Sequence, residues 1–376
     1  MMGRHRYINK VVIYFLLYII SFSYICTYIT TTVHADIVYV DVKSNTIKSQ
    51  FGCGKYGNKC KSLSDALRRA KNGDTIVILP GIYSGINNND LCSPNTNITT
   101  QTTDTPSNIT SFNISCPKNL TFMGNSSFPE DIVIKGNHSM NVRALYALDA
   151  SYRFSHITFS DFSINESIAT ITSLNGIDAG VGAAILGVGS KITLNNVIFK
   201  NNQAKQGGAL AALLGSTVVV RHSSFATNQA TDSGGALVLE SSILHMHDSS
   251  LWLNSVHKVA SHSSATPSFG GGGAVLLLNS LDVLIENCQL YNNSSPRSGG
   301  ALHVVSSASP TSLVIANSTF SRNTVIVEAD CQGSAAACVA NGGALYIDSG
   351  IGIIDGCTFH ANIVNSKLAI PVSVVY

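Results

Sequence analysis

Charge is scarce in this chain of 376 residues. Asp, Glu, Lys and Arg make up 12% of it, against about 25% in ordinary soluble domains. Such a composition excludes a highly charged disordered protein and a basic nucleic-acid binder. It also excludes an Ala/Glu/Lys/Leu-rich helical bundle, whose outer faces would need the missing charges. After residue 35 no stretch is apolar enough to span a bilayer. Length alone allows one to three domains. What is abundant is Ser, Thr, Asn, Gly and β-branched residues, with 45% hydrophobic residues and 31 glycines. That mixture points to β-structure.

The first residues have the form of a targeting segment. Arg4, Arg6 and Lys10 make a positive start, residues 11–20 are an unbroken apolar run, and Val33-His34-Ala35 offers a small-x-small cleavage site. The apolar run and its weaker tail end at Cys26, 16 residues in all, short of the roughly 20 a spanning helix needs. Residues 1–35 are therefore expected to be a cleaved signal peptide, with a retained signal anchor as the alternative. The whole chain carries +2, and this segment holds three basic and no acidic residues, so the remainder carries −1. Electrostatics single out no partner, and nucleic acid is excluded.

Secretion makes the cysteines readable. Eight remain after Cys26, at 53, 60, 92, 116, 288, 331, 338 and 357. Acceptor sequons stand at Asn97, Asn108, Asn113, Asn119, Asn125, Asn137, Asn165, Asn292, Asn293 and Asn317. Seven of the ten fall between residues 97 and 165, so a glycosylated polar loop is expected there. The expected location is extracellular, secreted or on the cell surface.

An internal repeat dominates the rest of the sequence. Gly-Gly-Ala followed by Leu or Val begins at Gly207, Gly234, Gly272, Gly299 and Gly342, with a degenerate copy at Gly182. Interleaved is Phe/Leu-x-x-Asn, as Phe199…Asn202, Phe225…Asn228, Leu251…Asn254, Leu290…Asn293, Phe320…Asn323 and Phe359…Asn362. From the second Gly to the next Phe or Leu the full copies run 17, 16, 17, 20 and 16 residues. Five residues before the Phe stand Leu194, Val220, Met246, Ile285, Ile315 and Ile354. Seven before it stand Ile192, Val218, Leu244, Val283 and Leu313, with Gly352 the exception. Apolar positions two apart with polar ones between describe strands with one buried face. A unit of about 26 residues cannot bury such a face alone, so units must stack, each strand pairing with its counterpart. The glycines are expected to turn tight corners at positive φ. The asparagines are expected to form a stacked ladder.

Together these two motifs resemble the repeat of chlamydial polymorphic outer membrane proteins and their eukaryotic look-alikes. Those proteins group with the right-handed β-helix, pectin-lyase-like superfamily. The resemblance covers residues 182–362. Upstream, Cys60-Lys-Ser-Leu-Ser-Asp-Ala-Leu-Arg-Arg-Ala and Gly73-Asp-Thr-Ile-Val-Ile-Leu-Pro-Gly-Ile-Tyr83 are similar to the amino-terminal cap of such folds, a short helix over the open core followed by the first strand. Leu63, Ala66, Leu67 and Ala70 share one helix face. Residues 118–123, 132–134 and 152–162 read as early, less regular coils. The resulting expectation is an all-β, right-handed parallel β-helix with a short amino-terminal capping helix. Residues 36–145 would be cap and irregular coils, and 146–376 regular repeats. The resemblance implies adhesin-like roles.

Loop lengths vary at one corner. Asn254 to Gly272 is 18 residues and Asn323 to Gly342 is 19, where the tight coils allow 5 or 6. Residues 162–182 hold an earlier insertion at the same place. Insertions on a rigid scaffold are where function concentrates, or simply where insertion is tolerated.

The catalytic motifs of polygalacturonases (Asn-Thr-Asp, Asp-Asp, Gly-His-Gly, Arg-Ile-Lys) and the paired Asp of pectinesterases are absent from the sequence. The nearest catalytic candidates are Arg221, His247 and Glu286, aligned on consecutive coils with Asp248 beside them, although a salt-bridged surface ladder accounts for them without any catalytic role. His257 and His262 in one long loop, and Glu328 and Asp330 in another, lack tight metal-ligand spacing, and no cofactor is expected. One residue past the repeat Phe/Leu, Trp252 and Tyr291 are expected side by side as a sugar-stacking platform, although a glycan at Asn292 would cover Tyr291.

The expected function is a non-catalytic adhesive or interaction surface, its partner an extracellular polysaccharide or cell-surface protein. The alternative is a divergent polysaccharide lyase or glycoside hydrolase. Among three connectivities for the cap cysteines, Cys53–Cys60 with Cys92–Cys116 is favoured, and Cys331 and Cys338 should pair across a small-residue loop. Cys288 and Cys357, two coils apart, are out of bridging range and are expected as buried free thiols, at a tight inward site whose equivalents Val197, Ser223, Ser249 and Ser318 are all small or short.

Overall fold

A computed structural model describes residues 35–44, 52–93, 116–139, 141–164, 180–257, 270–307, 311–327 and 341–366. Residues 1–34, Asn97, Asn108, Asn113, Asn165, Cys331 and Cys338 lie outside the described residues, as do His262, Glu328 and Asp330. The described residues from Asp36 onward belong to one compact unit, and nearly all its regular structure is strand.

Every strand pairing between coils is parallel. The strands form one sheet of 17, one of seven and one of six. A typical coil runs Leu210–Leu213, Thr217–Arg221, Ser224–Ala226 and Gln229–Ser233. Thr217–Arg221 and Ser224–Ala226 both belong to the large sheet, which bends between them at His222, φ 48°. Each coil then steps up to the next in strict register: Val218 pairs with Leu244 and Phe225 with Leu251. The winding is a β-helix.

Inside, the repeat positions stack as the spacing requires. Phe199 and Phe225 lie 4.9 Å apart with ring planes within 3°, and Leu251, Leu290, Phe320 and Phe359 continue the column. It also extends upstream, through Phe159 and Ile134 to Tyr83. The irregular coils therefore share the core of the regular ones.

Three polar ladders hold the corners. The Asn column is fully buried from Asn202 to Asn323. Each Nδ2 donates to the next Oδ1 at 2.9–3.0 Å. The column at Val197, Ser223, Ser249, Cys288, Ser318 and Cys357 is a hydrogen-bond ladder as well. Val197 N donates to Ser223 Oγ, Ser223 N to Ser249 Oγ and Cys288 N to Ser318 Oγ, all at 3.0–3.1 Å. The position is short throughout, as the sequence pattern suggested, and its serines also serve as acceptors for the backbone N–H of the preceding coil. A third ladder runs through Ser190 and Ser216.

At the amino-terminal end the helix Leu63–Leu67, with Ser62 as N-cap, buries Leu63, Ala66 and Leu67. Cys53–Cys60 and Cys92–Cys116 are bridged. The cap expectation needs one correction. A strand, Ile37–Val40, precedes the helix and pairs with Thr75–Ile78, because Ile-Val-Tyr-Val is itself a β-branched and aromatic run.

A second correction concerns the thiols. Cys288 is buried, but Cys357 is only half-buried, since no described coil stacks on its outer side. Cys288 Sγ donates to Glu286 O at 3.2 Å, and burial raises its pKa to about 11. A native-state alkylation time course should label Cys357 and spare Cys288, with both labelled after denaturation. Rapid native labelling of Cys288 would contradict the register of that coil.

Candidate functional site

On a parallel strand with one face buried, the alternate residues project outward. Along Ile243–His247 and Asp282–Glu286 these outward residues are His245 and His247, then Asp282 and Glu286 at the strand ends. The register sets His247 opposite Glu286, while His245, opposite Leu284, reaches diagonally to Asp282. His245 Nε2 lies 2.9 Å from Asp282 Oδ2, and His247 Nδ1 lies 3.2 Å from Glu286 Oε2. At the corner, His222 and Asp248 both take φ near 48°, which brings His222 Nδ1 to 3.9 Å from Asp248 Oδ2. Three His–carboxylate contacts therefore cross neighbouring coils on one face.

The aligned trio Arg221, His247 and Glu286 is in register, but only His247 and Glu286 interact. Arg221 is exposed and joins no ion pair among the described residues. The carboxylates are wet: the side chains of Asp248, Asp282 and Glu286 are 46%, 52% and 39% exposed.

On the next strands of the same two coils, Ser250–Trp252 and Gln289–Tyr291, Trp252 and Tyr291 pair in register. Their rings are parallel within 3°, with centroids 6.1 Å apart. The indole N–H donates to Ser224 Oγ of the preceding coil at 3.2 Å, so Trp252 leans onto that coil. Their row neighbours are the small residues Ala226 and Ser321. Beside the rings lies a shallow groove lined by His222, Ser224, Asp248, Ser250, Asn287 and Gln289.

Of the sequon residues, Asn119, Asn125, Asn137 and Asn317 are exposed and Asn292 is half-buried. Asn293 is fully buried, with its amide committed to the ladder, which closes it to an oligosaccharide. His257 is exposed and bonded to Ser255 Oγ at 2.8 Å. Among the described residues no cluster of three or more His, Cys, Asp or Glu could hold a metal ion.

A buried histidine escaped the sequence reading. The seven-stranded sheet is apolar on both faces, as parallel sheets usually are. Its outward row runs Tyr146, Leu186, Ala211, Val238, Leu276, His303 and Tyr346. His303 is 5% exposed and its Nδ1 has no hydrogen-bond partner. The sole hint in the sequence is a His standing where sister coils have Ala, Val or Leu. Burial lowers its pKa from 6.5 to about 4. The unfolded chain then binds a proton between those values that the folded chain refuses. The stability held here is complete above pH 6.5 and is lost as pH falls through the window, by about 3 kcal/mol at pH 4. Urea titrations should show the wild type losing that much more than His303→Leu between pH 7 and pH 4. Equal losses would exclude His303 as the cause.

The profile described as "Right handed beta helix region" matches residues 150–368, more than half the chain. The chain belongs to the right-handed β-helix family. No curated protein matches it. Among solved structures it is similar, at 12% identity, to the catalytic domain of a GH87 alpha-1,3-glucanase in complex with nigerose, with a TM-score of 0.26. A substituted form with nigerose scores 0.28 and another with tetrasaccharides 0.25, also at 12% identity. Each likeness covers 84% of this chain and 66% of the other, so the chain spans just under two thirds of those domains' length.

Proposed function

We propose that this protein is a secreted or cell-surface β-helix that acts as a non-catalytic adhesive or interaction surface. Its partner is an extracellular polysaccharide or a cell-surface protein. The observation that carries this reading is the outer face of residues 217–257 and 270–291. It offers parallel aromatic rings, a groove of hydroxyl and amide groups, and carboxylates that are solvated. A glycosidase needs a carboxyl group kept protonated at neutral pH, which an apolar pocket provides. Asp248, Asp282 and Glu286, at 39–52% exposure, have no such pocket. Solenoids also present long stiff faces suited to adhesion.

The test is a screen for reducing ends and unsaturated products on polyuronides and neutral glycans, run beside binding of the labelled protein to intact cells. No turnover, together with saturable cell binding, is expected. Turnover abolished by Glu286→Gln or Asp248→Asn would replace this reading with an enzymatic one.

A further inference from the structure

We propose that the Trp252–Tyr291 face binds uncharged glycan chains and discriminates against polyuronides. This inference rests on the interaction-surface reading and names the ligand class of that same face.

Three observations combine. First, the two rings are parallel within 3° at 6.1 Å, and each is only half-buried. Aromatic surface of this kind stacks against the apolar C–H faces of sugar rings. Trp252 is held in place by its bond to Ser224 Oγ, so little freedom is lost when a ligand arrives.

Second, the groove beside the rings supplies neutral donors and acceptors suited to sugar hydroxyls. Ser224, Ser250, Asn287 and Gln289 line it. Of these, Asn287 and Gln289 are exposed and Ser250 is half-buried, so their polar groups remain reachable.

Third, the charge is one-sided. Residues 243–252 and 282–291 carry the two rings and hold Asp248, Asp282 and Glu286 with no Lys or Arg. A hexuronate chain would bring one carboxylate per sugar against three. The Arg or Lys fork that normally pairs a carboxylate is missing from both coils. Arg221 lies one coil earlier, on the far side of His247 from Glu286.

Trp252 is the single tryptophan of the chain, so its emission reports on this face alone. The experiment titrates the full protein at pH 7.5 with neutral gluco-hexasaccharides of β-1,4 and α-1,4 linkage and with oligogalacturonate of the same length. A saturable emission change with at least one neutral hexamer is expected, with oligogalacturonate binding at least tenfold more weakly. Tyr291→Ala should weaken the neutral ligand about tenfold. Glu286→Gln with Asp282→Asn, neither of which lines the groove, should recover most of the uronate deficit while leaving neutral binding within about twofold. Affinity electrophoresis follows Trp252→Ala, which removes the reporter, and circular dichroism confirms that each variant is folded. The inference is overturned if oligogalacturonate binds as well as the neutral chains, if folded Tyr291→Ala binds like wild type, or if no hexamer binds. In that last case cell binding still decides the interaction-surface reading separately.

Discussion

Replacing Asn254 with Ala should cost about 5 kcal/mol of folding stability, whereas the same change at Asn362 should cost about 1 kcal/mol. Asn254 is fully buried. Its Nδ2 donates to Phe225 O at 2.9 Å and to Asn293 Oδ1 at 3.0 Å. Its Oδ1 accepts from Asn228 N and Asn228 Nδ2, both at 3.0 Å. Alanine would remove all four bonds in a dry interior, at about 1–3 kcal/mol each before relaxation, although Asn293 Oδ1 keeps the backbone N–H of residue 254 and Asn228 Nδ2 keeps Phe199 O. Asn362 makes comparable bonds to Asn323 and Phe320 but is half-buried, so water can take over. Urea midpoints and slopes for the two variants provide the comparison. Equal losses would mean that the ladder behaves as a row of surface amides.

Gly235→Ala should be nearly as damaging, at about 4 kcal/mol, and the reason is contact rather than conformation. The first glycine of each pair does turn the corner at positive φ, 58° at Gly234. The second is required by the coil above. A Cβ on Gly235 would lie 2.1 Å from Gly273 O and 2.7 Å from both Ser255 N and Ser255 O. All three atoms are backbone and cannot rotate away. Gly208, Gly273 and Gly300 meet the next coil's glycine carbonyl in the same manner. The control is Gly215→Ala, at φ 77° with open space around its Cβ, where only the left-handed backbone penalty of about 1 kcal/mol applies. If thermal unfolding lowers both variants equally, the coils are not packed to the limit at Gly235.

Much of the fold was legible because its two motifs are periodic. A recurring Phe five residues after a recurring Leu, Val or Ile defines a register, and that register put Trp252 beside Tyr291 and His247 beside Glu286. What periodicity does not carry is what a side chain does once placed. Ser223, Ser249 and Ser318 read as small fillers because the backbone N–H that each accepts from belongs to another coil. The irregular coils were obscured by Ile134 and Tyr83 standing where the motif has Phe, although they occupy the same column. His303 was invisible because its row, apolar and buried, lies on the outward side of a sheet, where a His is ordinarily solvated. The tilt of the Trp252 indole toward Ser224 depends on rotamer, which no spacing encodes. Cys357 was misjudged because burial of an inward position requires a coil on both sides.

The central claim is that the outer face of residues 217–257 and 270–291 binds without turning its ligand over. The most direct measurement is the Trp252 emission of the wild-type protein, followed for hours in a half-saturating mixture with the neutral hexasaccharide that binds best. A saturable change that stays constant over that time is the expected result. An emission change that decays back as the hexasaccharide is consumed, or none at any concentration, would contradict it.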